Sequence, residues 1–186
     1  MKMIKILVGI LASLLILVGC NNEQANNSTA QPLPYSIVKK EHEKELLEWN
    51  KEIVAIDYTV IDKFIERRKW NMEISGTGLY YQIYKNGDGE KSKDGKIAEF
   101  TYTVMLLNGD LLYSSDKTGN KFLHLGHNQQ ETGINEGLLM MRVGDKARFI
   151  LPPHLAFGVP GDGNLIPPYS IIIYDVELIS LNDKID

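Results

Sequence analysis

Cysteine is almost absent from this chain: Cys20 is the only one in 186 residues. A single thiol excludes an internal disulfide, so an oxidising compartment is permitted but not required. Basic clusters are missing too. Lys91 and Lys93 come nearest, and Asp88, Glu90 and Asp94 interrupt them. With a formal net charge of −4, the chain lacks the positive footprint that phosphate binding needs, which argues against nucleic acid as a partner. No GxSxG elbow, GxGxxG fingerprint or P-loop is present, and the glycines of Gly87-Asp88-Gly89 and Gly161-Asp162-Gly163 read as turn formers. His124 and His127 stand three apart in HLGH, but that segment reads as strand and turn. No carboxylate or cysteine completes a ligand set, so neither metal nor cofactor is expected. What is present is ordinary globular material, 44% hydrophobic, enough for one compact domain and an appendage.

The one long apolar run, residues 6–18, lies next to Lys2 and Lys5 at the start of the chain. It falls short of the roughly 20 residues a membrane-spanning helix needs and reads as the core of a targeting segment. It ends in Leu17-Val18-Gly19-Cys20, which resembles the bacterial lipobox, whose cysteine is acylated on its thiol and becomes the first residue of the mature protein. The competing reading is an ordinary signal peptide followed by an accidental cysteine. We therefore expect a lipoprotein signal peptide over 1–19 and lipidation at Cys20. That tethers the protein to the bacterial cell envelope, on the periplasmic face or the outer membrane. Residues 20–36 are polar and Asn-rich; they cannot offset their ordering entropy by burial and read as a flexible tether.

Residues 37–74 read as a helical arm. Charges of both signs alternate from Lys39 to Glu48, as on a solvated helix face. Leu46, Ile53 and Val60 fall at heptad intervals. Thr59 followed by Asp62 resembles a capping box, so the arm is either one bent helix or two. It either lies against the domain as an appendage or joins two copies in a homodimer.

Gly76-Thr77-Gly78 breaks the helical pattern and opens a domain over 75–186. Strands are expected over 79–84, 97–107, 111–114, 121–125, 146–151 and 171–179, with a hairpin turn at Asn108-Gly109. Along 97–107, Phe100, Tyr102, Val104 and Leu106 share one face; along the last strand Ile172, Tyr174, Val176 and Leu178 do. Ile134, Leu138 and Met141 form the apolar face of one short helix, with Thr132 as its N-cap and Gly144 as its terminator. One helix among alternating strands implies an α+β fold, an antiparallel sheet wrapped over that helix.

The segment 133–178 carries a short apolar helix, a strand, and a turn with Pro152, Pro153, Ala156, Phe157 and Gly158. An exposed apolar tip, Leu165-Ile166-Pro167-Pro168, and a final strand follow. Together with FTYTVMLLNGDLLYSS at 100–115, and with SGTGLYYQIYKNGDGE at the domain's start, it strongly resembles the FK506-binding-protein (FKBP) family of peptidyl-prolyl isomerases. The resemblance implies a pocket built residue by residue. Tyr102 matches the family's pocket tyrosine and Ile166 its apolar ledge. Tyr174 stands for a phenylalanine and Phe157 for a tyrosine, so both rings are kept and one hydroxyl is lost. Leu112 and Leu123 replace phenylalanines, Tyr113 an aspartate, and Ile134 the frequent tryptophan of the floor. Gln130-Glu131 replaces a Val-Ile pair, and the backbone N–H of Glu131 is the expected donor to a substrate carbonyl. Asp162 replaces a histidine, at a position expected to matter less.

Such a pocket suits the reaction. Rotation of a peptide bond meets a barrier of about 18–20 kcal/mol, and X-Pro bonds need tens to hundreds of seconds unaided. No bond breaks, so no nucleophile or metal is called for. A dry apolar seat for the proline ring disfavours the planar, resonance-stabilised amide and holds the twisted one. The resemblance implies an envelope-anchored isomerase that assists the folding of exported proteins, with proline-containing polypeptides as clients. The arm, the domain-opening block and the altered lining also resemble FKBP-like lipoproteins associated with gliding motility in Bacteroidetes. The altered lining implies reduced or changed proline binding, and it leaves a second reading open: a binding module or chaperone subunit of an envelope complex with little catalysis.

Overall fold

Alternation of apolar residues at every second position from Ala98 onward produces β3 (Ile97–Leu106), the strand on which the rest is built. The computed structural model describes residues 35–127 and 131–183; the expected signal peptide, Cys20, the tether as far as residue 34 and Gln130 lie outside the described residues. Among the described residues no helix is long and apolar enough to cross a membrane. Tyr35–Glu43 belongs to one unit, and Lys44–Asp186 forms another, the compact one described from here on.

Along one edge β3 pairs with β7 (Ile172–Asn182) over its whole length, Phe100 facing Leu178 and Val104 facing Tyr174. Along the other edge it pairs twice. β5 (Lys121–His124) lies beside residues 97–100 and β4 (Leu111–Ser114) beside residues 103–105. Between them sits α2 (Ser115–Thr118), whose N-cap Ser114 accepts a hydrogen bond from the Asp116 N–H. Four residues are too few for a periodic pattern, which is why α2 has no signature in the sequence. β7 continues to β6 (Lys146–Leu151), then β2 (Tyr80–Lys85) and β1 (Glu73–Ile74), every pairing antiparallel. β1 falls inside the stretch read as helical arm.

The sheet wraps over α3 (Thr132–Met140), which buries Ile134 and Leu138 against Phe100, Phe149 and Leu151. Gly137 permits this closeness: a Cβ there would stand 2.7 Å from the Phe149 ring. The α+β fold with its antiparallel sheet over one short helix is thus the one expected. The caps of α3 are not. Thr132 is the first helical residue, and the N-cap position falls to Glu131, which makes no side-chain cap because its carboxylate is engaged elsewhere. Nor does Gly144 end the helix. Met141 turns extended to enter the core, and Lys91 Nζ donates to the Met140 carbonyl. Gly144, at φ 91°, serves the next turn, its N–H bonding the Leu178 carbonyl.

α1 (Tyr35–Arg68) is a single helix. Thr59 does not start a second one; its hydroxyl donates back to the Ala55 carbonyl at 2.9 Å, inside the helix. Asp62, the other half of the supposed box, accepts from the Tyr80 hydroxyl at 2.8 Å. The reason lies in packing. Ile61 and Phe64, three residues apart, are buried against Tyr80, Ile150 and Ile173 on the outer face of the sheet, with Tyr58, Ile65, Trp70 and Met105 around them. Each such side chain stabilises by about 1.5–3 kcal/mol when fully buried, which outweighs a local capping signal. The heptad positions Leu46 and Val60 are exposed, so the helix packs through a different stripe from the one the heptad marks.

Candidate active site

Among the described residues, two cavities border Tyr102. The larger, about 240 Å³, is polar, and its charged walls pair among themselves, Lys146 with Glu177 at 2.9 Å for example. The other, about 170 Å³, is lined by Tyr102, Val104, Tyr113, Lys121, Glu131, Phe157, Asp162, Ile166 and Tyr174. A cavity of roughly 150 Å³ admits a benzene ring, so this one admits a five-membered ring.

Period-two geometry builds its back wall. Tyr102 and Val104 share the inner face of β3, and Tyr174 projects beside them from β7, its ring 6.3 Å from that of Tyr102. The Tyr102 hydroxyl lies 2.9 Å from Thr118 Oγ1, and its N–H donates to Ser115 Oγ, so α2 fixes this side chain. The 153–169 loop supplies the front. It starts as a 3₁₀ turn (Pro153–Leu155), places Phe157 half-buried at the rim, and doubles back at Gly161. That glycine has φ 69°, and a Cβ would collide with the Ile166 carbonyl. Ile166 therefore turns inward and is buried, while Leu165 alone of that pair stays exposed; the apolar tip is only half a tip.

The lining is more polar than its aromatic residues suggest. Glu131, buried, accepts from the Tyr174 hydroxyl on one oxygen and from Lys121 Nζ on the other at 2.6 Å. Burial first, and then the Glu131 carboxylate, push the Tyr174 hydroxyl well above its usual range. Across the cavity the Tyr113 hydroxyl donates to Asp162, which also accepts from the N–H groups of Asn164 and Ile166 at 2.9 and 2.8 Å. Burial alone would raise the Asp162 carboxyl; those three donors outweigh it and hold the group below the usual carboxylate range. For Tyr113, burial and then the bond to Asp162 raise the hydroxyl.

Of the residues singled out from the sequence, Tyr102, Tyr113, Glu131, Phe157, Ile166 and Tyr174 meet at this cavity. Leu123 and Ile134 are buried in the core and Leu112 packs half-buried against it; none of the three lines the cavity. Two lining residues, Val104 and Lys121, were not anticipated, and Asp162, expected to matter less, lines the cavity as well. Val104 was legible, two residues from Tyr102 on one strand face. Asp162 had a readable signal in its Asp-Gly-Asn context, which favours a side chain bonding the backbone ahead of it. Lys121 had none, since its role depends on which edge β5 takes. His124 and His127 stack at 4.1 Å and contact the carbonyls of Gly95 and Leu125. Among the described residues no cluster of three metal-ligating side chains occurs.

This frame is shared with known proteins. The family model for FKBP-type peptidyl-prolyl cis-trans isomerase matches residues 88–179. FK506-binding protein 2 of Dictyostelium discoideum is 43% identical over 93 residues, 50% of this chain and 70% of that one. A peptidyl-prolyl cis-trans isomerase of Schizosaccharomyces pombe is 36% identical over 109 residues, 58% of this chain and 97% of that one. Some other relatives are longer, and this chain spans about half of their length. Among solved structures, FkpA from Escherichia coli superposes with a TM-score of 0.57 at 26% identity, over 81% of this chain and 74% of that one. An antiparallel sheet over one helix, and relatives whose sequences match this chain across most of their own length, lead to one conclusion: the chain belongs to the FKBP-type peptidyl-prolyl cis-trans isomerase family and carries that isomerase domain.

Proposed function

We propose that the cavity between Tyr102, Phe157, Ile166 and Tyr174 seats the proline ring of a polypeptide client and speeds X-Pro rotation without covalent chemistry. The carrying observation is a ring-sized space with aromatic side chains on two sides. Seated there, the amide loses water, and the planar form loses more stabilisation than the twisted one. The backbone N–H of Glu131 is the proposed donor to a client carbonyl. Glu131, Lys121 and Asp162 keep part of the lining polar, which retains water and lowers the rate; each 1.36 kcal/mol so lost is tenfold. The same polar lining favours a second reading, a binding module that holds clients with little catalysis. A proline-isomerisation assay on the full chain, with Phe157→Ala and Tyr102→Ala as controls, separates the two. Acceleration that both variants weaken supports the enzyme. No acceleration at high protein concentration, with clients still bound, supports the module.

We further infer, from the lipobox-like Leu17-Val18-Gly19-Cys20, that a lipid on Cys20 holds the protein in the cell envelope, where exported proteins are its clients. Service to gliding motility rests on resemblance in the arm and the altered lining. Unchanged membrane association of Cys20→Ser would count against the anchor. Leu46, Trp49, Ile56 and Val60, exposed along α1, support a second copy of the chain as what covers that helix. Sedimentation of Trp49→Glu alongside the unaltered chain tests this, a monomer in both cases speaking against it.

A further inference from the structure

One group of polar and aromatic side chains outside the cavity joins α1 to the loop that forms its rim. The 153–169 loop delivers Phe157, Asp162 and Ile166 to the cavity. It is closed at its base: the Gly158 N–H donates to the Pro153 carbonyl at 2.8 Å, and the Tyr169 N–H donates to the Gly158 carbonyl at 2.9 Å. Tyr169 has φ 57°, a left-handed conformation that a bulky aromatic residue adopts only when its surroundings hold it there. The hold is visible. Its hydroxyl donates to Asp57 Oδ2 at 3.0 Å, and Asp57, on α1, is only 7% exposed. The next residue on the helix, Tyr58, sets its ring edge-on to His154 at the other end of the same loop, 6.4 Å between centroids. Adjacent helical residues thus touch both ends of the loop. A carboxylate buried beside Ile61 and Phe64 is costly in itself and persists where a specific partner requires it.

We propose that Asp57 and Tyr169 are positioning residues for the isomerase, and that α1 uses their hydrogen bond to hold the rim loop with Phe157 and Ile166 over the bound proline. This rests on the reading of the cavity as the proline seat. A helix that merely braced the fold would change stability and leave substrate binding alone; a helix that sets the rim changes the affinity for proline.

Steady-state kinetics of the full chain on a proline tetrapeptide tests this, with Tyr169→Phe, Asp57→Leu, their double variant, Asp57→Asn, and Phe157→Ala as control. Tyr169 is 41% exposed and phenylalanine keeps its ring, so Tyr169→Phe removes one hydrogen bond and little burial. Tyr169→Phe and Asp57→Leu are each expected to raise KM about threefold to tenfold with kcat little changed. The double variant should be no worse than either single, and Asp57→Asn, which keeps an oxygen acceptor, should bring KM back toward the starting value. A defective Phe157→Ala beside unaffected Tyr169→Phe and Asp57→Leu overturns the clamp alone, as do single effects that simply add. A silent Phe157→Ala overturns the cavity reading and the clamp with it.

Discussion

Removing the Tyr174 hydroxyl probes the least apolar feature of the cavity. Tyr174 is 2% exposed and donates to Glu131, which is 6% exposed and also accepts from Lys121. A hydrogen bond to a charged group contributes about 1.5–3 kcal/mol, and Glu131 has little water nearby to replace a lost donor, so Tyr174→Phe should cost about 2 kcal/mol. For a domain of this size that is roughly 4–8 °C in Tm. Glu131→Ile alone leaves a neutral hydroxyl buried without this acceptor, at a cost of about 1–2 kcal/mol. The double variant replaces both partners by apolar groups, and Lys121, partly exposed, can turn to water; its cost should stay below about 1 kcal/mol. Urea unfolding of the full chain, the two singles and the double would then show coupling of about 2 kcal/mol or more. The double variant also dries one wall of the cavity, so kcat/KM should rise roughly two- to fivefold, equivalent to ~0.5–1 kcal/mol. Strictly additive costs would refute the pairing argument. A fall in kcat/KM with stability retained would refute the claim that the polar wall slows the reaction.

Asp162 gives a pH test. Its carboxyl is held below the usual range when folded, so its contribution is present above the unfolded pKa and is lost as pH falls through the lower folded value. Asp162→Asn should therefore lower Tm most near neutral pH, with the gap to the unaltered chain closing below about pH 4; a gap that widens in acid would contradict this. Phe64→Ala should cost about 3 kcal/mol in urea unfolding, through lost burial against Ile150 and Ile173 and the lost contact with Arg68 at 4.2 Å. A cost near zero would mean that α1 is not part of the folding unit. Gly137→Ala should cost about 1–3 kcal/mol, since the new methyl meets the Phe149 ring; an unchanged unfolding midpoint would show that α3 has room to shift.

The sequence by itself determined what depends on backbone periodicity and local turn chemistry. Period-two runs placed Tyr102, Val104 and Tyr174 on inward strand faces, and the glycines and prolines of 152–168 marked a tight loop carrying Phe157 and Ile166. From these the fold class was legible, and the family resemblance pointed to six residues of the cavity. Tertiary structure decided the rest, because a local pattern states which face is apolar but not what will cover it. Leu112, Leu123 and Ile134 are apolar and near the site in sequence, yet packing sent them to the core side of the wall. Tyr113 meets Asp162 across 49 positions and Tyr169 meets Asp57 across 112, separations at which no spacing rule operates. At Thr59 a local capping signal lost to the burial of Ile61 and Phe64, and the helix ran on to Arg68 across the outer face of the sheet. Long-range burial outweighs local preference wherever the two compete, and in this protein the competition was settled at the helix that braces the site.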